Sequence, residues 1–532
     1  MISFVIVVIL LLLVIISSRQ VTQAFTDDEL ISLRDAVKEN FLHAFVSYMD
    51  YGYPYDEVYP VSCKGRDYKH RVRGTLDDSL GNYLLTLVDS LDTLVSLREE
   101  KRFIAALEIL RHELTFDTDI DVSVFETNIR VLGGLLSSHQ LAKKLSHNKK
   151  YNFDYDGFLL EKAKDLGDRL LPAFMTKTSI PYHRINLMHG VRGNESSLTC
   201  PAAAGSYLME FGLLSRLLKD SKYEIAAFKA SKAIFDRRSK LDLIGPLIDV
   251  NTGQWIYSHT GIGAGFDSYY EYLMKGYSLL GDIRLLRMFD ISYNAIEKHV
   301  RSNITNSYIE VDMTKGYKQP MNYLLSSLSA FWPSLQVLHG RVSSAKINFD
   351  RLMHFYKKFE ATGLPDIFDT SSYSLLDHSR GNYNRPELIE SSYYLFEATK
   401  DSKYLIFAKD FHNKLKTKRT KCGFSSFSDI STGTIDDRMD SFVLSETLKY
   451  LYLIFDEAIQ SYSKRKSFFC DTNNNNNLNQ NDNSSTLRDS CISKSHTLFT
   501  TEGHLFIIEH EALRKNGIHA NNQLSLQTCL AI

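Results

Sequence analysis

The feature that most constrains this fold is a short polar turn followed by an amphipathic helix, repeated along the chain. The pattern occurs in LREEKRFIAALEIL, LKDSKYEIAAFKAS, LLGDIRLLRMFDIS and ATKDSKYLIFAKDF, and the distances between its turns indicate a unit of about 60 residues. Glycine and proline, 27 and 10 of the 532 residues, form about 7% of the chain, against roughly 12% in average proteins. With so few helix breakers, the sequence predicts an all-α fold built from helical hairpins.

Hairpins of this kind cannot bury their apolar faces alone, so they either stack into an open solenoid or close into a toroid. Closure is the preferred prediction, because a toroid has a central cavity into which loops at one rim can send polar groups. A capping box from Thr26 to Glu29 marks the start of the first helix. Apolar stripes follow at 82–97, 122–145, 203–218, 264–280, 322–338, 386–399 and 440–456.

Both ends of the chain differ from this helical body. Residues 4–16 are an apolar run shorter than the roughly 20 residues that span a bilayer, so 1–24 is predicted to be a signal peptide, with an uncleaved anchor as the alternative. The polar, asparagine-rich segment 459–495 is predicted to be a disordered insertion. HTLFTTEGHLFII predicts a short β-hairpin at 496–508, followed by a tail at 509–532. The helical body is then 25–458.

The charge balance narrows the range of partners. The chain has 62 Lys and Arg against 63 Asp and Glu, a net charge of -1, so no general attraction to nucleic acid or acidic membranes is expected. Membrane contact is expected only through an N-terminal anchor. Sequons at Asn194, Asn303 and Asn483 are predicted glycosylation sites and agree with lumenal exposure. Of the six cysteines, some are expected to form one or two disulfides, whose pairing cannot be derived from spacing.

Acidic residues interrupt several of the apolar stripes. Glu126, Asp267, Glu387 and Glu446 each lie within one. One interpretation is that each acid is a paired structural carboxylate or a solvated helix end, because buried acids persist mainly when they are paired. The other is that acids recurring at hairpin-like intervals enter one cavity, where their pKa values would split as glycoside hydrolysis requires. Spacing alone leaves both interpretations open.

Six ordered motifs carry a resemblance to a known family: VFETNIRVLGGLLSSHQLAKKL, LLPAF with IPYHRINL, GAGFDSYYEYL, RPELIESSYYLF, SETLKYLYLIF and FTTEGH. They resemble glycoside hydrolase family 47, the inverting class I α-1,2-mannosidases, over residues 27–508 apart from the insertion. GNYLLTLVDSLDTL, KCGFSSF and FTTEGH are most similar to the ER degradation-enhancing α-mannosidase-like proteins within that family. The resemblance implies an all-α (α/α)7 toroidal barrel, with the C-terminal β-hairpin reaching into it, and a calcium ion at its base.

The resemblance also implies roles for individual residues. Glu126 corresponds to a proposed general acid, Asp267 to the rival candidate for that role, and Glu387 to the base that activates the attacking water. Thr501 corresponds to a threonine that binds Ca²⁺ through its hydroxyl and carbonyl oxygens, in keeping with the preference of calcium for oxygen. Residues that correspond to substrate contacts, or to support around them, are Arg130, Glu210, Arg385, Glu390, Phe442, Glu446 and Glu502.

Further implications concern cysteines and departures from the family pattern. Cys63 and Cys422 correspond to a pair that forms a disulfide in the degradation-type members. Ser326 and Ser327 stand where processing mannosidases carry aspartate and histidine, which predicts altered water positioning and slower turnover. Gly265 replaces an arginine that narrows the specificity of the ER processing enzyme, which predicts a site open to other glycan branches.

These implications lead to one functional hypothesis and two alternatives. The chain is expected to be a calcium-dependent α-1,2-mannosidase of the endoplasmic reticulum lumen that trims high-mannose N-glycans on misfolded glycoproteins, promoting their degradation (ERAD). Its other expected partner is a lumenal thiol oxidoreductase or an ERAD adaptor. The first alternative is a mannose-binding lectin or chaperone-like ERAD receptor with little hydrolysis. The second is a Golgi-type processing enzyme.

Overall fold

The computed structural model describes residues 25–71, 77–302, 306–359, 363–372, 374–377, 379–463 and 497–508. Several predictions concern residues outside these ranges: the leader 1–24, the sequons at Asn303 and Asn483, most of the insertion 459–495, and the tail 509–532. Within the described ranges, no helix is both long enough and apolar enough to cross a membrane.

Fourteen helices form the framework of the described chain and alternate between an outer and an inner position. The outer helices are α1 (Asp27–Ser47), α3 (Glu100–Glu113), α5 (Phe158–Leu170), α7 (Lys222–Asp236), α9 (Ile283–His299), α11 (Val342–Lys358) and α13 (Lys403–Thr417). The inner helices are α2 (Leu85–Ser96), α4 (Gly133–Ser146), α6 (Glu210–Leu218), α8 (Asp267–Leu280), α10 (Trp332–Leu338), α12 (Glu387–Thr399) and α14 (Leu448–Ser463). Short helical turns occupy Tyr48–Gly52, Tyr68–His70, Val124–Glu126, Thr127–Leu132, Leu171–Phe174, Pro201–Gly205, Ser327–Phe331 and Val443–Thr447.

The two kinds of helix differ in how they are buried. Outer helix α3 buries only Phe103, Ala106, Leu107 and Leu110, which share one face at three- and four-residue spacing. Inner helix α2 is buried along its whole length. The apolar stripes of the sequence accordingly overlap the seven inner helices, and the repeated amphipathic segments fall at four of the outer ones.

The inner helices close into a ring. Each contacts the next one in chain order, from α2 to α14, and α14 in turn contacts α2. Outer helix α1 packs on α14, so the two ends of the helical body complete the seventh outer-inner pair. The closed (α/α)7 barrel confirms the predicted toroid and rules out the open solenoid.

The strand-bearing connections lie at one rim of the barrel. They are the connections that run from an outer helix to the following inner helix, and they are longer than the returns from inner to outer helices. Strands in successive connections pair with each other, as Asp121–Ser123 does with Arg184–Asn186 and Leu324–Ser326 with Ile367–Asp369. This rim is therefore the one at which inner helices begin.

The strands are β1 (Glu57–Tyr59), β2 (Lys64–Arg66), β3 (Asp121–Ser123), β4 (Arg184–Asn186), β5 (Leu198–Thr199), β6 (Ile248–Asp249), β7 (His259–Thr260), β8 (Glu310–Asp312), β9 (Gly316–Asn322), β10 (Leu324–Ser326), β11 (Ile367–Asp369), β12 (Ser374–Leu375), β13 (Arg419–Thr420), β14 (Gly423–Phe424), β15 (Ser426–Asp429), β16 (Thr434–Asp436), β17 (Thr497–Phe499) and β18 (Leu505–Ile507).

The predicted C-terminal hairpin is present and reaches into the barrel. Strands β17 and β18 pair antiparallel, with Leu498 opposite Phe506. The Ser137 hydroxyl donates to the Leu505 carbonyl at 2.8 Å, and the Gln140 amide bonds to both backbone groups of Ile507. Both side chains belong to inner helix α4, so the hairpin is held against the interior wall of the ring.

Three predicted boundaries need correction. Helix α14 continues to Ser463, past the predicted start of the insertion at 459, because Ile459 is buried and Tyr462 packs against Phe396. The stripe at 322–338 is not one helix, since strand β10 and a helical turn precede α10. The capping box at Thr26 is half formed: its hydroxyl accepts from the Glu29 amide, but the Glu29 carboxylate pairs with Lys409.

A disulfide joins two hairpins at the strand-bearing rim. Cys63 and Cys422 are bonded across 359 residues of sequence, and this is the pair that the resemblance implies. Cys63 lies in the β1–β2 hairpin and Cys422 in the β13–β14 hairpin, so the bond ties the first connection of the ring to the last. Among the described residues, Cys200 is a free cysteine.

Candidate active site

The predicted acids come from the rim at which the inner helices begin. Glu210, Asp267 and Glu387 are the first residues of α6, α8 and α12. Glu126 ends the helical turn that leads into α4, and the Ser123 hydroxyl caps this turn by accepting from the Glu126 amide at 3.2 Å. Residues up to 261 positions apart in sequence are thus presented at one end of the barrel, because the ring places all inner helices side by side.

The C-terminal hairpin and the turn before α14 add the remaining residues. Thr501 and Glu502 lie in the turn between β17 and β18. Glu446 lies in Val443–Thr447, and the backbone of this segment approaches Gly503 of the hairpin. The hairpin turn therefore meets the rim acids from inside the barrel.

Arg130 connects Glu126 to the hairpin. Its guanidinium donates to the Glu126 carboxylate at 2.8 Å and to the Glu502 carboxylate at 2.5 Å, and lies 3.8 Å from that of Asp89. Burial alone would lower the pKa of Arg130, but these three carboxylates raise it well above its ordinary value. Arg130 is therefore a fixed cation between the rim and the hairpin.

Asp267 and Glu387 form an interacting pair of carboxyl groups. Burial raises the pKa of each to about 7, and the charge of Glu387 adds to the rise at Asp267. Arg385 opposes the rise at both carboxyls. Two acids with pKa values near neutrality suit proton transfer at physiological pH, where one can donate a proton and the other accept one.

Four carboxyl groups crowd together around the hairpin turn, and we name Glu387, Glu390, Glu446 and Glu502 the acid wall. Burial raises the pKa of Glu390 and Glu502 to about 8, and that of Glu446 well above its ordinary value. The other three members of the wall add to the rise at Glu446. These mutual effects show that acids from α12, the segment before α14 and the hairpin share one space.

Exposure divides the predicted residues into two groups. Glu126, Asp267, Glu387 and Thr501 are partly exposed. The residues that correspond to substrate contacts or support are more enclosed, apart from the two arginines: the buried ones are Glu210, Glu390, Phe442, Glu446 and Glu502. The four residues with the most specific implied roles are thus among those that a ligand could reach, together with Arg130 and Arg385.

Glu210 differs from the other acids because the side chains that donate hydrogen bonds to its carboxylate, Asn128 and Tyr272, are both neutral. It is fully buried, with Asn128 donating to its carboxylate at 2.9 Å and the Tyr272 hydroxyl at 2.7 Å. Burial raises its pKa to about 8. The Tyr272 hydroxyl also lies against the backbone amide of Thr501. This arrangement makes Glu210 a support for the hairpin turn beneath the pocket surface.

Phe442 lies between two arginines. The guanidinium carbons of Arg130 and Arg385 are 5.9 Å and 6.0 Å from the centre of its ring. Arg385 is oriented by Asp366, whose carboxylate accepts from its Nε at 2.7 Å. Asp366 was not identified from the sequence, because it lies in a connecting segment without helical periodicity.

A second charged cluster fixes the hairpin, and we name Asp89, Asp92, Lys449 and His504 the hairpin lock. The Lys449 ammonium donates to both Asp92 carboxylate oxygens at 2.9 Å and to the Gly503 carbonyl at 2.6 Å. His504 lies 3.2 Å from Asp89 and 3.5 Å from Asp92. All four side chains are fully buried.

The lock stabilises the charged forms of Asp89, Asp92 and His504, since the pKa values of the two aspartates are lowered and that of the histidine is raised. Burial would raise the pKa of Asp92, but Lys449 and His504 hold it well below its usual range. Burial would lower the pKa of His504, but the two aspartates raise it to about 9. The sequence analysis missed the lock, although Asp89 and Asp92 interrupt an apolar stripe just as the identified acids do.

The departures from the family pattern lie beside the pocket. The Ser326 hydroxyl caps the following turn by accepting from the Leu328 amide, and the Ser327 amide donates to the Asp366 carbonyl. Gly265 has a φ of +86°, and a Cβ there would lie 3.6 Å from that of Cys200. A side chain at 265 would therefore fit sterically but would strain the backbone.

The residues around the hairpin turn fit a calcium ion through their chemistry. The donors are oxygen atoms, from the Thr501 hydroxyl and backbone carbonyl and from the acid wall, which is the ligand type that calcium prefers. In the described ranges, no three His, Cys, Asp or Glu side chains meet closely enough to hold a metal by themselves. The mutual repulsion within the acid wall is what a divalent cation would relieve.

The chain is similar in sequence to a family of hydrolases. A profile of glycosyl hydrolase family 47 matches residues 40–472. The ER degradation-enhancing alpha-mannosidase-like protein 3 of Xenopus laevis is 42% identical over 442 residues, which cover 82% of this chain and 48% of that protein. The alpha-mannosidase I MNS4 of Arabidopsis thaliana is 40% identical, over 83% of this chain and 68% of that protein. The chain thus spans about half the length of the Xenopus relative.

The fold is similar to a solved structure. An alpha-1,2-mannosidase from Trichoderma reesei superimposes with a TM-score of 0.73 over 90% of this chain and 99% of that one, at 22% identity. At this identity the match bears on the fold alone, and it agrees with the closed ring of helical hairpins.

Proposed function

Because this chain belongs to glycosyl hydrolase family 47, as its ordered motifs predict, we propose that it is a calcium-dependent inverting α-1,2-mannosidase. Its substrates are high-mannose N-glycans on misfolded glycoproteins in the lumen of the endoplasmic reticulum, and trimming promotes their degradation. The names of its relatives support this substrate and location, since several are ER degradation-enhancing alpha-mannosidase-like proteins.

The observation that carries the proposal is the placement of Glu126, Asp267 and Glu387. They are partly exposed at one rim of a closed barrel, while the other predicted acids are buried around them. A purely structural origin predicts that each acid has a matching cation. Instead, burial raises the pKa of Asp267 and of Glu387, the charge of Glu271 adds to both rises, and the charge of Glu387 adds to that of Asp267, which is typical of acids kept for chemistry.

In the proposed mechanism, Glu387 accepts a proton from a water molecule as the water oxygen bonds to C1 of the terminal mannose. The bond between C1 and the glycosidic oxygen breaks, and that oxygen takes a proton delivered through Glu126 or Asp267. One water is consumed, and free mannose leaves with inverted configuration. Asp267, with a pKa of about 7, can hold the required proton at neutral pH. Glu126 is ion-paired with Arg130 at 2.8 Å, so its carboxylate is already engaged, and it would deliver a proton through a water molecule.

Thr501 would hold the calcium ion through its hydroxyl and carbonyl oxygens, with the acid wall nearby. When bound, the ion supplies coordination for sugar hydroxyls and water, which helps to orient and distort the ring. The chain's own contribution is to fix Thr501. Lys275 donates to the Thr500 carbonyl at 3.3 Å, and Lys449 donates to the Gly503 carbonyl at 2.6 Å, so the turn is held from both sides.

The residues around the reacting groups would contact or support the sugar. Phe442 offers an apolar ring held between the cations Arg130 and Arg385, and aromatic rings commonly pack on the apolar face of a sugar. Arg385 itself is fixed by Asp366. Glu390, Glu446 and Glu502 complete the polar surroundings, while Glu210 acts through Tyr272 beneath the surface.

The rest of the chain fits a lumenal protein with the proposed organisation. Residues 1–24 would be the signal peptide or an uncleaved anchor, 25–458 the barrel, 496–508 the calcium-site hairpin and 509–532 a tail. Asn194 is exposed and open to glycosylation, as is expected of Asn303 and Asn483. The Cys63–Cys422 disulfide suits an oxidising lumen, and a thiol oxidoreductase or ERAD adaptor is the proposed protein partner.

A mannose-binding lectin or chaperone-like receptor is the second candidate. Ser326 and Ser327 favour it, because hydroxyl groups stand where the processing relatives carry charged or titrating side chains. In that case the barrel would bind glycans with little hydrolysis. The partly exposed acids and Thr501 favour catalysis.

The deciding experiment is a time course of the purified chain with a labelled nine-mannose glycan, in calcium and in chelator. We expect free mannose in calcium and none in chelator. In Glu387→Gln, mannose release should fall at least about 100-fold, because the base for the attacking water is removed, while the fold and glycan binding are retained.

Glu397→Gln is the matched control, because Glu397 lies on the same helix ten residues beyond Glu387 and about 15 Å along its axis. It should leave mannose release unchanged. Full activity in Glu387→Gln would contradict the catalytic assignment. Glycan binding by the wild type without any shortened product would favour the lectin.

A further inference from the structure

A cavity beside Glu387 is lined by no residue of the described C-terminal hairpin, and we name it the rear cavity. It runs from Ser327, Arg385 and Glu387 at the pocket to Tyr356 and Lys414, which belong to outer helices α11 and α13. Its volume is about 30 Å³, which is room for about two ordered water molecules. It is therefore a space that joins the catalytic rim to the outer layer of the barrel.

Two hydroxyl groups that line the rear cavity have no hydrogen-bond partner among the described residues. Ser327 is 5% exposed and Tyr356 is 1% exposed, and neither hydroxyl makes a hydrogen bond within the described residues. Burial raises the pKa of Tyr356, and the nearby carboxylate of Asp410 adds to the rise. Buried hydroxyls are nearly always satisfied by protein or water, so each of these indicates a bound water.

The far end of the cavity lies close to the surface. The Lys414 side chain is 20% exposed, and it pairs with Asp410 at 2.9 Å. Its ammonium lies 4.0 Å from the centre of the Tyr356 ring. A long, partly exposed lysine at this point can move aside, so water can exchange with solvent behind the catalytic rim.

We propose that the rear cavity is a water site that supplies the hydrolytic water to Glu387 when a glycan fills the central pocket. The inference rests on the proposed function, since hydrolysis consumes one water per glycosidic bond. In each turnover the water oxygen bonds to C1 of mannose and its proton passes to Glu387. Ser327 is then a positioning residue, which holds the next water against Glu387 through its free hydroxyl.

The first test does not depend on activity. A crystal structure of the chain at about 1.8 Å resolution should show ordered water within hydrogen-bond distance of Ser327 Oγ and of Tyr356 Oη. Ser327→Val should lose the water beside Glu387, because a methyl group replaces the hydroxyl. A rear cavity without water in the wild type would overturn the proposal, whatever the activity of the protein.

The second test separates water supply from glycan binding. In Ser327→Val, kcat should fall about 10-fold or more with KM within about 2-fold of wild type, since the sugar contacts are untouched. Ser327→Thr restores the hydroxyl and should recover kcat. If both variants unfold at the wild-type temperature and Ser327→Val keeps full kcat, the proposal is wrong.

Two tyrosine variants, one of them a control, test the far end of the rear cavity, near Lys414. Tyr356→Phe should lower kcat about 3-fold, because a water molecule that enters the rear cavity from solvent would lose one hydrogen-bond partner. Tyr404→Phe is the control: Tyr404 is also buried on an outer helix with a hydroxyl that has no partner within the described chain, but it does not line the rear cavity. Equal effects in both variants would contradict the inference. A wild type that releases no mannose would refute the proposed function, and the crystallographic waters alone would then decide the water site.

Discussion

The hairpin lock and the acid wall are both buried groups of charged residues beside the same β-hairpin, yet their electrostatics are opposite. In the lock, opposite charges meet at about 3 Å, so the pKa of Asp92 is held down and that of His504 is raised to about 9. In the wall, burial raises the pKa values of Glu390 and Glu502 to about 8, and neighbouring carboxylates add to both rises.

This difference separates the buried charges that stabilise the fold from those that are available to bind a ligand. Lys449 donates to both carboxylate oxygens of Asp92, which offsets the loss of hydration of this buried pair, so the lock can hold the hairpin without any ligand. The wall is only partly compensated: Glu387, Glu390 and Glu502 raise the pKa of Glu446, although Arg385, Lys275 and Arg130 each oppose the rise at one member of the wall. It becomes favourable only when protons, a cation or sugar hydroxyls enter, as expected for a ligand site.

The largest expected effect comes from breaking the lock. Lys449→Met leaves the Asp92 carboxylate buried without its cation and removes the bond to the Gly503 carbonyl. The free energy of unfolding, measured with urea, should fall by about 3–5 kcal/mol. Lys232→Met removes an exposed partner of Asp236 and should cost at most about 1 kcal/mol. Similar losses in the two variants would show that the lock contributes no special stability.

Calcium should distinguish the wall from the lock. Calcium at about 100 times its Kd should raise the free energy of unfolding by about 2.7 kcal/mol, and chelation should remove this gain. In Glu446→Gln the gain should shrink, because the wall loses one negative charge. Without calcium, the same variant should change stability by less than about 1 kcal/mol, since burial and repulsion already favour the neutral form of Glu446.

Two variants serve as controls for this prediction. Glu397→Gln removes a carboxylate from the other end of α12 and should keep the full calcium response. Lys449→Met should lower stability in calcium and in chelator alike. A calcium response that survives intact in Glu446→Gln would separate the metal from the acid wall.

The sequence was sufficient for the ring of hairpins because helical periodicity and the shortage of glycine and proline are local properties. It also identified Glu126, Asp267 and Glu387 as unusual, since each interrupts an apolar stripe. Their roles came from ordered motifs, not from spacing. Thr501 has no local signal at all, because a threonine in a hairpin turn is ordinary and its meaning depends on the acids that approach it from other helices.

The sequence could not predict which side chains contact each other across the ring. The same local pattern, an acid in an apolar stripe, describes Asp92 in the lock and Glu446 in the wall. Only the position of Lys449 separates them, and its contact with Asp92 spans 357 residues. The end of α14 at Ser463 was missed for a similar reason, because Tyr462 gains its packing partner, Phe396, from a neighbouring inner helix.

The pH dependence of stability separates the two regions by the pH ranges in which they act. Glu390 and Glu502 have folded pKa values of about 8, above the roughly 4.3 of an unfolded glutamate, so the folded state binds protons more tightly. In chelator, the free energy of unfolding should therefore fall as pH rises from about 5 to 8, by more than about 1.4 kcal/mol, the value of one pKa unit. Calcium should reduce this fall, and so should Glu446→Gln.

The contribution of His504 is present below about pH 6.5 and is lost as pH rises through about 9, whereas that of Asp92 is lost only in strong acid. Urea unfolding at each pH, with and without calcium, measures both regions. A flat or rising profile between pH 5 and 8 in chelator would mean that the wall carries no uncompensated charge, and the contrast with the lock would fail.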